Sequence, residues 1–65
     1  MRSLIRRGEV EVRTGLARST IYAKVADGTF PKPVPIGLRG KRWCGDEVNE
    51  WIEQRIAERD QAASE

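Results

Sequence analysis

The sequence has no histidine and a single cysteine in 65 residues. Without histidine the commonest general base is missing, and with it every imidazole-based triad, so only scattered carboxylates remain as catalytic groups. Cys44 cannot close an internal disulfide and has no histidine or second thiolate with which to hold zinc. No metal, cofactor or small-molecule substrate is expected, and a reducing cytoplasm is the expected compartment. No run approaches the ~18 to 20 apolar residues that a bilayer span needs, and the basic first residues lead into no export signal. Aromatic residues are scarce at 6%: two tryptophans, one tyrosine and one phenylalanine. A chain this short closes one small core, worth about 3 to 5 kcal/mol, which leaves no material for a deep catalytic cleft. The expectation is one domain over residues 1–65 and no enzymatic activity.

What is present is charge, unevenly spread. The formal net charge is only +2, yet Met1 to Trp43 carries ten Lys and Arg against three acids, and Cys44 to Glu65 carries two against seven. A polyanion is attracted to the first two thirds and repelled by the last third, which is the footprint expected of a nucleic-acid partner. An ordinary solvated surface is the competing explanation of charge alone.

Leu4-Ile5 is a short apolar pair long enough for an edge strand. From about Gly8 to Thr14 a helix is expected, with Glu9 and Glu11 towards its positive end, Val10 inward, Gly15 closing it and Leu16 returning to the core. A second helix, about Arg18 to Asp27, has one narrow apolar stripe of Ile21 and Val25 and ends at Gly28. Two helices separated by Thr14-Gly15-Leu16-Ala17 fit a helix-turn-helix. Three prolines at alternate positions, Pro31, Pro33 and Pro35, forbid helix. Val34 and Ile36, the Gly37-Leu38-Arg39-Gly40 tip and Lys41-Arg42-Trp43 then read as a basic hairpin. From about Asp46 to Ala62, Val48, Trp51, Ile52 and Ile56 mark an amphipathic helix, with Arg55 and Arg59 suiting its negative end. Residues 61–65 have no apolar anchor beyond alanine and are expected to fray. The fold class is therefore mainly α with a small β-hairpin: a winged helix-turn-helix of three helices plus a wing.

In such a fold the second helix enters the major groove. Arg18 suits guanine O6 and N7, while Ser19 and Thr20 suit base edges, phosphates or, through the threonine methyl, thymine. Tyr22 and Lys24 suit the sugar-phosphate backbone, and Arg39, Lys41 and Arg42 in the wing face it as well. Each also has a structural explanation: Ser19 and Thr20 as helix caps, Tyr22 as a half-buried core residue, Lys24 as a solvated lysine. Trp43 and Trp51 fit the core better than a stacking platform for single strands, and Cys44, beside Trp43, fits a small buried thiol. Asp46, Glu47 and Glu50 read as a solvated helix face.

Several segments together carry a resemblance to a known family. They are Glu9-Val10, Thr14-Gly15-Leu16-Ala17-Arg18-Ser19-Thr20-Ile21-Tyr22, Gly28-Thr29-Phe30-Pro31-Lys32-Pro33-Val34, Arg42-Trp43 and Glu47-Val48-Asn49-Glu50-Trp51-Ile52. On these the chain resembles the AlpA-type phage regulatory proteins, within the excisionase-like and MerR-like winged-helix group. The resemblance implies a transcriptional regulator of a prophage or integrated element, with Arg18, Ser19, Thr20 and Tyr22 in the recognition helix and Arg39, Lys41 and Arg42 in the wing. Two positions depart from the pattern. Ala17 stands where a capping serine is usual, a loss of about 1 kcal/mol unless Ser19 takes over with a later start. Arg13 stands where an apolar residue is usual, as though exchanged with Val12.

The resulting expectation is sequence-specific binding to double-stranded DNA through residues 18–27 in the major groove and 37–42 on the backbone. Because one module reads one half-site, self-association on repeated sites is part of it. Two alternatives remain at this stage: a recombination directionality factor that bends DNA with the same face, and a protein-interaction adaptor that uses the acidic last helix.

Overall fold

The computed structural model describes residues 3–38 and 40–63. Among these the chain forms β1 (Leu4–Ile5), α1 (Arg7–Thr14), α2 (Arg18–Asp27), β2 (Val34–Ile36), β3 (Gly40–Cys44) and α3 (Gly45–Ala63). Three helices against a small sheet, with the β2–β3 hairpin as the wing, make a winged helix-turn-helix. The strands are antiparallel in the order β1-β3-β2, so the wing's second arm is the central strand. The partner of Leu4 and Ile5 lies at the far end of that arm, Cys44 and Trp43 respectively.

The turn between α1 and α2 is built by three neighbouring residues. Thr14 donates its hydroxyl to the carbonyl of Val10 at 2.8 Å, and its Oγ1 accepts the amide N–H of Leu16 at 3.2 Å. Between them Gly15 adopts φ 74°, ψ 9° and donates to the Glu11 carbonyl at 2.8 Å. A Cβ is strained in that left-handed conformation, which is why the helix stops at glycine. Gly28 closes α2 in the same way, at φ 84°.

α2 mixes good helix formers (Arg18, Ala23, Lys24, Ala26) with β-branched Thr20, Ile21 and Val25, and at ten residues it depends on packing for its stability. Ile21 is fully buried with Val10, Phe30, Trp43 and Val48, and Ile5, Leu16, Tyr22, Val25, Trp51 and Ile52 pack around them. Both indoles also hold the segment after α2. Trp43 Nε1 donates to the Pro31 carbonyl at 3.0 Å and Trp51 Nε1 to the Thr29 carbonyl at 2.7 Å. Phe30, between these two carbonyls in sequence, meets Trp51 edge to face at 5.0 Å. Cys44 is buried beside Trp43.

Some expectations change. α1 starts at Arg7 rather than Gly8, and Glu11 lies past its first turn, where it pairs with Arg7 at 3.2 Å. Val12 does not take the inward place of Arg13: it is 80% exposed. Val10 fixes the phase of the helix, and a residue two positions on lies about 200° round from it. Arg13 instead reaches α3, donating Nη1 to Asn49 Oδ1 at 3.3 Å and Nε to Glu9 at 3.2 Å.

α3 starts at Gly45 and continues through Gln61, Ala62 and Ala63, aided by the high helix propensity of alanine. Arg55 and Arg59 therefore stand short of its last turn. They pair with Glu58 at 2.7 Å and Asp60 at 2.8 Å rather than complementing the helix end. Residues 64 and 65 lie outside the described residues.

Candidate nucleic-acid interface

α2 places the candidate contact residues by its turn of about 100° per residue. With Ile21 and Val25 inward, the side facing away from the core is Ser19, Ala23 and Ala26, all exposed. Arg18 and Tyr22 form one flank of that strip, Thr20 and Lys24 the other. The middle is short, so a backbone can approach closely, and one flank carries Arg18 while the other carries Lys24.

The helix begins at Arg18. Ala17 is its N-cap, in extended conformation, with no side-chain cap, and the first turn closes through Ile21 N–H to the Ala17 carbonyl at 3.0 Å. Ser19 and Thr20 lie inside the helix and do not cap it, so that explanation of the two residues is set aside.

Tyr22 has a place in both the core and the surface. Its ring is half-buried and meets the core indole of Trp43 edge to face at 6.1 Å, while the Arg18 guanidinium lies 5.8 Å from the ring centroid on the surface. Its hydroxyl faces Arg7. Hydrogen bonding to Tyr22, and secondarily to Glu11, raises the Arg7 pKa above its ordinary value.

Tyr22 also joins α2 to the wing. It lines an open groove of about 660 Å³ with Arg6 and Arg7 at the start of α1 and Lys41 and Arg42 on β3. Lys41 is exposed; Arg42 is half-buried and donates Nη1 to the Lys41 carbonyl at 3.1 Å. Gly40 lies at the base of the wing's turn, where a Cβ would come 2.7 Å from the Ile36 carbonyl, so no larger residue fits without moving backbone. Arg39, expected in this surface, lies outside the described residues.

Ion pairing sorts most of the cations by location, although Lys32, between α2 and β2, also forms no ion pair among the described residues. Arg13, Arg55 and Arg59 each pair with a carboxylate. Arg6, Arg18, Lys24, Lys41 and Arg42 form no ion pair among the described residues, and of the cations around α2 and the wing only Arg7 does. A surface that leaves most of its positive groups without an ion pair is suited to an external anion.

This architecture has relatives. Residues 3–56 match the family described as prophage CP4-57 regulatory protein (AlpA). The chain belongs to the AlpA family. The match takes in β1, both helices of the helix-turn-helix, the wing and the first part of α3, leaving the exposed end of α3 outside it. The DNA-binding transcriptional activator AlpA of Escherichia coli K12 is 36% identical, over 80% of this chain and 83% of that protein. The uncharacterized protein ORF88 of Enterobacteria phage P4 is 43% identical over 51 residues. That alignment takes in 78% of this chain and 58% of the phage protein's length.

Within this AlpA-family fold, two sets of residues join the surface that sequence reasoning did not select. Ala23 and Ala26 escape notice because small apolar side chains carry no chemical label; only the phase set by Ile21 singles them out. Arg6 and Arg7 do leave a signal. Two cations at the start of a helix oppose its dipole, an arrangement that local energetics disfavours.

Proposed function

We propose that this chain is a sequence-specific double-stranded-DNA-binding transcriptional regulator of a prophage or integrated element. The outward strip of α2 enters the major groove and the wing lies along the backbone. Arg18 reads guanine, Ser19 and Thr20 meet base edges, and Tyr22 and Lys24 hold the strands on either side. Lys41 and Arg42, with Arg39 from the wing tip, contact phosphates. The observation that carries this reading is the concentration of cations without ion pairs around α2 and β3. The activity named for the Escherichia coli relative supports the same reading.

Selection of sites from a random duplex pool, followed by titrations at several salt concentrations, tests it. Arg18→Ala is expected to lose about 1 to 3 kcal/mol of discrimination at one base pair. Lys41→Ala is expected to weaken all duplexes about equally and to flatten the salt dependence by about one unit of slope. Absence of any preference among duplexes at low ionic strength overturns the proposal.

A further inference from the structure

The groove between the start of α1 and the wing gathers four cations from two segments distant in sequence. Arg6 and Arg7 come from one side, Lys41 and Arg42 from the other, and no carboxylate among the described residues lines it. Arg7 shares its charge with Glu11; Arg6 and Lys41 pair with nothing among the described residues, and Arg42 reaches only a backbone carbonyl. Folding thus brings four like charges together and supplies a carboxylate to only one of them among the described residues.

The backbone adds to the same polarity. Arg6 is the N-cap of α1 and makes no side-chain cap, and its carbonyl accepts the N–H groups of Glu9 at 3.0 Å and Val10 at 3.1 Å. The N–H groups of Arg7 and Gly8 are the first of the helix and have no acceptor within it. Gly8 lines the groove, and a Cβ there would meet nothing within 4 Å, so no neighbouring side chain covers it. The four cationic residues, Gly8 of the first turn of α1 and Tyr22 thus line one space open to solvent.

We infer that this groove seats a backbone phosphate of bound duplex DNA, making the start of α1 a second clamp on the strand that the wing contacts. The inference rests on the proposed placement of α2 in the major groove, because Tyr22 ties the groove to that helix and Lys41 and Arg42 tie it to the wing. Arg6 and Arg7 then contribute affinity without sequence preference, since a phosphodiester is the same at every step. The same occupant accounts for two cations at the positive end of a helix: a bound phosphate supplies the negative charge that position favours.

The test uses the full chain carrying Arg6→Gln or Arg7→Gln, with Arg59→Gln, far from the groove, as the control. Each groove variant is expected to weaken selected and scrambled duplexes by the same factor and to reduce the salt slope by about one unit, leaving their affinity ratio unchanged. Ethylation interference at one phosphate, seen with the wild type, should disappear in both. Arg6 makes no ion pair among the described residues, so Arg6→Gln remains informative if Arg7→Gln unfolds. Wild-type slope and interference in Arg6→Gln, with wild-type protein still preferring its site, overturn the groove assignment and leave the proposed function standing. Failure of the wild-type protein to prefer any duplex overturns both.

Discussion

The indole N–H of Trp43 donates to the carbonyl of Pro31 at 3.0 Å, across the turn that leads from α2 into the wing. Trp51 makes the corresponding bond to Thr29 at 2.7 Å from α3. Two bonds from opposite sides fix the short segment that determines how the wing is set against the recognition helix. The polar atoms of both large aromatics are thereby satisfied, and no buried side-chain nitrogen or oxygen among the described residues lacks a partner.

Trp51→Phe removes one of these bonds at a partly exposed site, where water can take the place of the indole. It should cost about 0.5 to 1.5 kcal/mol in urea unfolding. Trp43→Phe should cost more, because Trp43 is only 1% exposed and the change leaves both an unpaired carbonyl and a void. Equal losses would mean that the buried contacts of Trp43 add nothing to the bond.

Ala23 tests the placement of α2 with little disturbance of the fold. It is exposed at the middle of the outward strip, so Ala23→Glu should change stability by no more than about 0.5 kcal/mol. A carboxylate there meets the electronegative groove at close range, and binding to every duplex should be lost in a mobility-shift titration. Unchanged binding would place the DNA on another surface.

The helix ends were legible because glycine marks them: Gly15 and Gly28 both lie where the hydrophobic pattern stops. The wing was legible from alternate prolines and from glycines around its tip. The partner of Leu4-Ile5 was not, since two residues carry no register and Cys44 is brought to Leu4 only by the completed chain fold. For α1 the single buried residue Val10 contained the phase, but the departure from the family pattern at Arg13 made the neighbouring Val12 look like its inward replacement. Of the candidate surface, the α2 and wing residues were legible from motif and charge. Arg6 and Arg7 left only their opposition to the helix dipole, because their relation to Lys41 and Arg42 exists only once β1 and β3 pair.

Asp27 gives a pH prediction. Its carboxylate accepts the Thr29 hydroxyl at 2.6 Å and the Thr29 N–H at 3.0 Å, and these bonds hold its pKa below the ordinary 3.8. A lowered folded-state pKa means the folded state favours the ionised form. The contribution is present above the unfolded value and is lost as pH falls through the folded one. An NMR carboxyl titration should give a midpoint below 3.8 in the wild type, moving upward in Thr29→Ala, which keeps only the backbone donor. Identical midpoints would contradict the role of the hydroxyl.

Arg13 separates charge from packing. Its guanidinium bonds Glu9 and Asn49, both at the surface, while the residue lines an apolar crevice between α1 and α3 with Trp51, Ile52 and Ile56. Exposed ion pairs of this kind contribute about 0 to 1 kcal/mol, whereas an arginine stem laid over apolar side chains excludes water from them. Arg13→Met keeps an unbranched stem and removes the charge, so it should lose less than about 1 kcal/mol. Arg13→Ala removes both and should lose more in the same denaturant series. If Met and Ala cost the same, the polar bonds to Glu9 and Asn49 carry the contact, and the stem is incidental. A greater loss in Arg13→Ala explains how this chain keeps the α1–α3 junction with a charged residue, its stem covering Trp51, Ile52 and Ile56.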